Sequence, residues 1–282
     1  MTRRSGNSAI AAGGATATRA RRPRAPARAP ESDRRFVRAF AKGLDVLRAF
    51  APSYPMLGNK QIALRTGLPK ATVSRFTFTL TQLGYLGYDA AMDQYRIASR
   101  VLSLGIGALR GLDLVRAARP LMDELARTCH VNVGLAAPDG LEMIYIEAIR
   151  GAGNLQHSLD IGSRIPMHST SMGRAYLATL EPRERGKRLT ELARAAEVPV
   201  TGLRASIREA LASIEKRRYC IARWQPEIVA AAVSLRVPPG ETQYVLNCGG
   251  PNYLVDETRL ANDVAPRLVG IASHLEQLFF GR

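Results

Sequence analysis

The sequence predicts an α+β fold in two parts: an N-terminal winged helix-turn-helix, then a larger domain in which helices interleave with an antiparallel sheet. Three observations predict it. Apolar residues recur at helical spacing on both sides of a glycine corner at Gly67, the apolar period shortens to that of strands from Val131 onward, and positive charge gathers in the first 110 residues.

The chain has 282 residues, about two domains' worth on the usual prior, so there is length enough for buried cores. Hydrophobic residues make up 46% and charged residues 23%, with a mean hydropathy of -0.10, which excludes collagenous, wholly disordered and multi-span membrane chains. The formal charge is +16, an excess that suits a polyanionic partner. Residues 1–35 hold nine arginines against Glu31 and Asp33, a net +7. Residues 36–110 hold ten lysines and arginines against Asp45, Asp89 and Asp93, again +7. The rest is nearly neutral, which divides the chain into a polyanion reader and a half with another task. Three scattered cysteines (Cys129, Cys220, Cys248) form neither a disulfide framework nor a metal clip, so a reducing cytoplasm is the expected home.

Residues 1–35 consist of Arg, Ala, Pro, Gly and hydroxyl residues with almost nothing to bury, the composition of a disordered basic tail that adds sequence-independent attraction to phosphates. Arg3 and Arg4 ahead of the small-residue run 9–18 have the outline of an export signal. That run has one strongly apolar residue, Ile10, and more arginine follows it, so export is not expected. No stretch of 18 apolar residues exists, so no transmembrane helix is expected.

The winged helix-turn-helix is placed at 36–98. Phe36, Phe40, Leu44, Leu47 and Phe50 stripe a first helix, which Ala51-Pro52 ends. A second helix covers 59–66, with Ile62 and Ala63 inward. A third starts at Pro69 and carries Val73, Phe76, Leu80 and Leu83 on one face. The informative spacing is Ala63-x3-Gly67-x5-Val73. Two closely crossing helices need a small residue at the contact, a corner residue tolerant of positive φ, and a β-branched filler beneath the second helix. Tyr85 to Tyr88, a polar turn over 89–94 and Tyr95-Arg96-Ile97 then read as the hairpin of a wing. With its apolar face inward, the third helix presents Lys70, Ala71, Ser74, Arg75 and Phe78 outward. Its N-terminal half can enter a major groove, where base edges are distinguishable. Arg75 is the expected base reader; Lys70, Thr72 and Ser74 reach bases or phosphates, and Lys60 and Arg96 meet the backbone.

The run from Gly67 to Phe76 (Gly-Leu-Pro-Lys-Ala-Thr-Val-Ser-Arg-Phe), with Leu83-Gly84-Tyr85 and Tyr95-Arg96-Ile97, resembles the DNA-binding domain of IclR-type transcription regulators. The opening Arg38-Ala39-Phe40-x2-Gly43-Leu44-x2-Leu47-x2-Phe50 is similar to that family's first helix, and to the subgroup acting on aromatic-acid catabolic genes.

Helical patterns over 99–109 and 112–128 follow, with stripes that suit a core or a dimer seam; the resemblance makes 99–111 a linker helix. The domain over 112–282 shows strand patterns at 131–136, 143–149, 155–159, 229–237 and 243–248, and helical ones at 171–179, 182–196, 203–218 and 257–280. Gly162-x3-Pro166-Met167-His168-Ser169-Thr170-Ser171-Met172-Gly173-Arg174-Ala175 is similar to the IclR effector-domain motif, and the resemblance implies a GAF-like effector-binding domain that also oligomerises. On the residues alone, the hydroxyls Ser169, Thr170 and Ser171 precede a helix start whose N–H groups and partial positive charge suit a small carboxylate; one hydroxyl acting as a helix cap is the competing reading. His168 and Met172 join this candidate set. Positions that hold an Asp and a Cys contacting small oxo-acids in some members fall on Ala222 and Ala232. A pocket without those groups is roomier and more apolar, with Trp224 as a wall, and suits an aromatic or longer acid; loss of sensing altogether is the alternative.

No metalloprotease, P-loop or dinucleotide motif appears. Ser213-Ile214-Glu215-Lys216 matches a nucleophile pattern without its companion motifs, and Cys248-Gly249-Gly250 reads as a buried thiol at a strand end. His130, His157, His168 and His274 lack ligand spacing. No metal, no cofactor and no enzyme activity are therefore expected. The expected partners are a palindromic double-stranded DNA operator, a small organic acid and other copies of the chain, as dimers that the resemblance pairs into tetramers; no membrane partner is expected. Two rival readings remain: an architectural DNA-binding protein whose second domain only oligomerises, and an enzyme built on that domain.

Overall fold

The computed structural model describes residues 35–51, 54–110, 113–151 and 160–281. The basic tail over 1–35 (but for Arg35) and the strand expected at 155–159 lie outside them. Among the described residues, the first part of the chain contains α1 (Arg38–Arg48), β1 (Met56–Leu57), α2 (Asn59–Thr66), α3 (Lys70–Gln82), β2 (Leu86–Asp89) and β3 (Gln94–Ile97). Gly67 takes φ 73° and ψ 8°, and its N–H closes α2 on the carbonyl of Ala63. Pro69 stands at the N-cap of α3 and Val73 is fully buried, so glycine corner and β-branched filler sit as their spacing requires. Val46, Leu57, Ile62, Val73 and Leu86 form this unit's core, each buried aliphatic side chain worth about 1.5–3 kcal/mol.

Two details differ from the sequence reading. Phe40 and Leu44 are exposed, while Val46 and Ala49 are buried. Helix α1 lies with Gly43 against the Phe76 ring, and just past its end the carbonyl of Ala49 accepts from Arg65 Nε at 2.8 Å. Leu83 is half-exposed because it is the C-cap residue of α3, where the chain turns away at Gly84 with φ 75°. The wing is a three-stranded sheet, since β1 adds to β3 on the side away from β2, an addition too short to leave a periodic signal.

Helices α4 (Ser99–Arg110) and α5 (Asp113–Cys129) lead into a six-stranded antiparallel sheet of β4 (Asn132–Asp139), β5 (Glu142–Ile149), β6 (Arg164–Pro166), β7 (Cys220–Gln225), β8 (Ile228–Ser234) and β9 (Val245–Pro251), in the order β6-β5-β4-β9-β8-β7. The edge strands β6 and β7 were not legible as strands: one has three residues, and the other mixes Arg223 and Trp224 into its run. Between β6 and β7 come α6 (Ser171–Thr179), α7 (Pro182–Ala196) and α8 (Val200–Arg217); α9 (Glu257–Arg259) and α10 (Ala265–Phe280) close the chain. The helix expected over 257–280 is broken by a π-turn, Leu260–Val264, in which the Ala265 N–H reaches back to Leu260 just before Pro266, which has no N–H to give.

Alternate residues of each strand feed two cores. Helices α5 and α10 cover one face, over Val133, Leu135, Val229, Ala231, Leu246 and Cys248. Helices α6, α7 and α8 cover the other, over Ala136, Met143, Cys220, Ala232 and Val245. A β-bulge in β5 leaves Ile146 without a partner, since Glu147 pairs with Leu135 and Tyr145 with Ala136. The first face is also tied by Glu276 of α10. Its carboxylate is buried and accepts from Arg218 Nη2 at 2.7 Å, Arg218 Nη1 at 3.3 Å and the Arg236 backbone N–H at 2.8 Å. Glu276→Ala leaves a partly buried guanidinium without its carboxylate and is expected to cost about 3 kcal/mol. Guanidinium-chloride unfolding checks this as a lower midpoint at constant slope.

Candidate functional site

Two surfaces carry chemistry. The first is the outer face of α3. Lys70, Ala71, Ser74, Arg75 and Phe78 are exposed and Thr72 half-exposed, which follows directly from the burial of Val73 and Thr77 on the opposite side. Thr77 was not anticipated inside; its hydroxyl donates to Asn59 Oδ1 at 3.1 Å and to the Ser74 carbonyl, fastening the start of α2 to α3. The other nearby cations divide by role. Arg65 lies over the Tyr54 ring at 4.2 Å and holds Ala49, so it serves the fold. Lys60 and Arg96 are exposed, Arg96 on the wing stem. At the wing tip the carboxylates are occupied: Asp93 accepts from the Tyr88 hydroxyl at 2.8 Å, and Asp89 accepts from the N–H groups of Ala91 and Met92.

The second surface is a cavity of about 270 Å³ between one face of the larger sheet and the start of α6. Its floor is made of small residues, Gly134, Ala148, Ala222, Ala230 and Gly249, which leave the space; Ile165, Ile228 and Trp224 wall it. Among the described residues its polar groups are all neutral: Asn132, Asn247, the Tyr145 hydroxyl, Gln225, Thr170 and Ser171. Burial pushes the Tyr145 phenol up to about 12, against a smaller opposing pull from Asn247, so it stays protonated at physiological pH.

The expected effector residues separate on this geometry. Thr170, Ser171, Ala222 and Trp224 line the cavity. His168 and Ser169 are half-buried in the turn before α6 and do not line it. Met172 and Ala232 are fully buried in the core under α6; Ala232 pairs with Cys220, whose thiol donates to the Ser171 carbonyl. The alanine that faces the cavity is Ala230, two residues earlier and paired with Ala222. Thr170 also serves as the helix cap: its Oγ1 accepts from the Gly173 N–H at 3.2 Å and donates to the Pro166 carbonyl at 2.8 Å. Tyr145, Asn132 and Asn247 escaped the sequence reading. The signal that could have found them is the glycine inside a strand pattern, at Gly134 and Gly249, since such glycines mark close approach.

The nucleophile patterns dissolve on inspection. Cys248 is fully buried, and burial beside Cys129 pushes its thiol well above the ordinary range. Burial likewise raises Cys220 to about 12, Arg174 opposing. Ser213 donates its hydroxyl to the Tyr219 carbonyl at 2.8 Å. No group of three or more metal-ligating side chains occurs, and no helix is long and apolar enough to cross a membrane, among the described residues.

Residues 39–90 match the IclR helix-turn-helix domain, and residues 106–275 match the C-terminal domain of the bacterial transcriptional regulator IclR. The chain belongs to the IclR family of transcriptional regulators. It is a DNA-binding regulator and not an enzyme. It is 32% identical over 248 residues to the HTH-type transcriptional regulator TsaQ1/TsaQ2 of Comamonas testosteroni, covering 86% of this chain and 88% of that one. The crystal structure of an IclR family regulator from Brucella abortus superposes with a TM-score of 0.78 at 37% identity, over 88% of this chain and 95% of that one. An IclR homolog from Microbacterium hydrocarbonoxydans complexed with 4-hydroxybenzoate shares the fold, with a TM-score of 0.66 at 22% identity, over 84% of this chain and 99% of that one.

Arg75→Ala is expected to weaken binding to a duplex selected in vitro by the wild-type regulator by about 1–3 kcal/mol, read by fluorescence anisotropy at fixed salt; unchanged affinity rejects Arg75 as a base reader. With all three thiols buried, the native protein at pH 8 is expected to leave a disulfide reagent such as Ellman's essentially unreacted, and to release its full complement of thiols once unfolded in guanidinium.

Proposed function

We propose that this regulator binds a palindromic operator through paired α3 helices and is controlled by a small aromatic or other ring-bearing carboxylic acid held in the cavity beside α6. Lys70, Ala71, Thr72, Ser74, Arg75 and Phe78 read the major groove, while Lys60 and Arg96 grip the backbone. One such helix reads few base pairs, so two copies on a two-fold axis engage half-sites about 34–36 Å apart. Pairing of dimers into tetramers through the larger domain, and work in the cytoplasm, belong to the same reading.

The observation that carries the effector assignment is the cavity itself: about 270 Å³, floored by glycine and alanine, walled by isoleucine and Trp224, and open to the first turn of α6. That volume lies just below the usual range of roughly 300–1,000 Å³ for ligand clefts and suits a single ring. A carboxylate is favoured at a helix N-terminus by unpaired N–H groups and the helix dipole, and Ser171 stands there. Ala222 and Ala230 offer nothing polar to a two- or three-carbon oxo-acid. A purely architectural protein has no use for such a space, which favours sensing over scaffolding. An IclR homolog of the same fold holding 4-hydroxybenzoate is consistent with this ligand class.

Thermal melting of the full chain tests it. Benzoate and 4-hydroxybenzoate are expected to raise the melting temperature, by about 2.7 kcal/mol of stabilisation at a hundredfold excess over Kd, whereas pyruvate and glyoxylate leave it unmoved. A rise with the oxo-acids and none with the aromatic acids rejects the assignment.

A further inference from the structure

Tyr145 holds an unusual place in the cavity. It stands on β5, yet its hydroxyl reaches Asn247 on β9, two strands away, by crossing β4 at Gly134. The crossing exists only because Gly134 has no side chain. A Cβ there would collide with Tyr145 Cε1 and would lie 2.7 Å from Asn247 Oδ1. The ring thus lies over a bare strand, with its oxygen held beside Asn247.

The direction of the hydrogen bond determines what the phenol has left to give. Asn247 Nδ2 donates to the Tyr145 oxygen at 3.1 Å, so the Tyr145 O–H hydrogen is not used on Asn247. No other partner of that hydroxyl is found among the described residues. A buried hydroxyl with an unspent proton facing a cavity selects an acceptor, because an occupant that brings none leaves the donor desolvated and unmatched. Burial keeps the phenol protonated far above neutrality, so it acts as a donor at any physiological pH. It brings no positive charge, and the carboxylate keeps its better partner at the start of α6.

We infer that Tyr145, positioned by Asn247 and admitted by Gly134, is the specificity-determining residue of the cavity and selects ring acids that carry an oxygen substituent over the same acids without one. The inference rests on the acid-effector reading and adds the chemistry of the ligand's far end. The hydroxyl donates to a ring hydroxyl, methoxy or oxo oxygen while the carboxylate lies at α6.

The test measures binding of benzoate, 4-hydroxybenzoate and 4-methoxybenzoate to the full-length protein and to Tyr145→Phe by isothermal titration calorimetry, with circular dichroism and melting to confirm the fold. The wild-type protein is expected to bind the better oxygen-substituted acid roughly tenfold tighter than benzoate, the worth of one well-made hydrogen bond. Tyr145→Phe is expected to lose that preference, the ratio of the two affinities falling to about one because benzoate no longer leaves a donor unmatched; because the readout is a ratio between ligands, general damage to the fold cancels. A preference kept in Tyr145→Phe overturns the inference. Equal weakening of benzoate and its oxygenated analogues also overturns it, since that places the carboxylate on Tyr145. If none of the three acids binds the wild-type protein, the acid-effector reading fails and takes this inference with it, an outcome distinct from the other two.

Discussion

The geometry of the larger domain hangs on one close approach. Any Cβ at Gly173 would occupy the space of the Met167 backbone, so α6 can begin where it does only with glycine in its first turn. That contact seats the helix start against the segment that leaves β6. Thr170 then caps it from one side, and the Ser171 carbonyl takes the Cys220 thiol from the other. Met172 and Ala232 are sealed beneath, while Thr170 and Ser171 remain at the edge of the cavity. A wider separation would offer the helix terminus to bulk water, where its dipole is screened and its N–H groups are already satisfied. Backbone sterics at a single residue therefore decide whether the sheet face has a binding space or only a packed core.

The smaller domain was almost wholly legible, because each of its features is local. Gly67 needs positive φ, Pro69 opens a helix, Val73 fills the crossing, and all three constraints act within a dozen residues. The mis-assigned face of α1 shows where that logic stops. Phe40 and Leu44 satisfy helical spacing as well as Val46 does, and only the docking of α2 and α3 decides which face is covered. In the larger domain the helices over 171–179 and 182–196 were read to the residue, since a cap, a terminal proline and a strong apolar stripe mark them. Edge strands and the π-turn carry no such marks.

The cavity was half legible, for a related reason. Thr170, Ser171, Ala222 and Trp224 belong to a contiguous motif or lie close to it, so spacing and resemblance reach them. Tyr145 and Asn247 are 102 residues apart and meet only through the pairing of β5, β4 and β9. Strand alternation identifies which residues share a face, but register decides which of them touch. Ala230 and Ala232 make the same point in miniature: both point to one side of β8, and the overlying helix admits one to the cavity and seals in the other.

The absence of any charged side chain from the lining residues described for the cavity has a consequence for how such a regulator measures its surroundings. With no guanidinium or ammonium among those residues, the acid proposed above would be held by ring contact and dipoles, which are weak singly and quickly lost. On that proposal the occupant exchanges readily, and the regulator would follow the rise and fall of its effector rather than trap the first molecule that arrives.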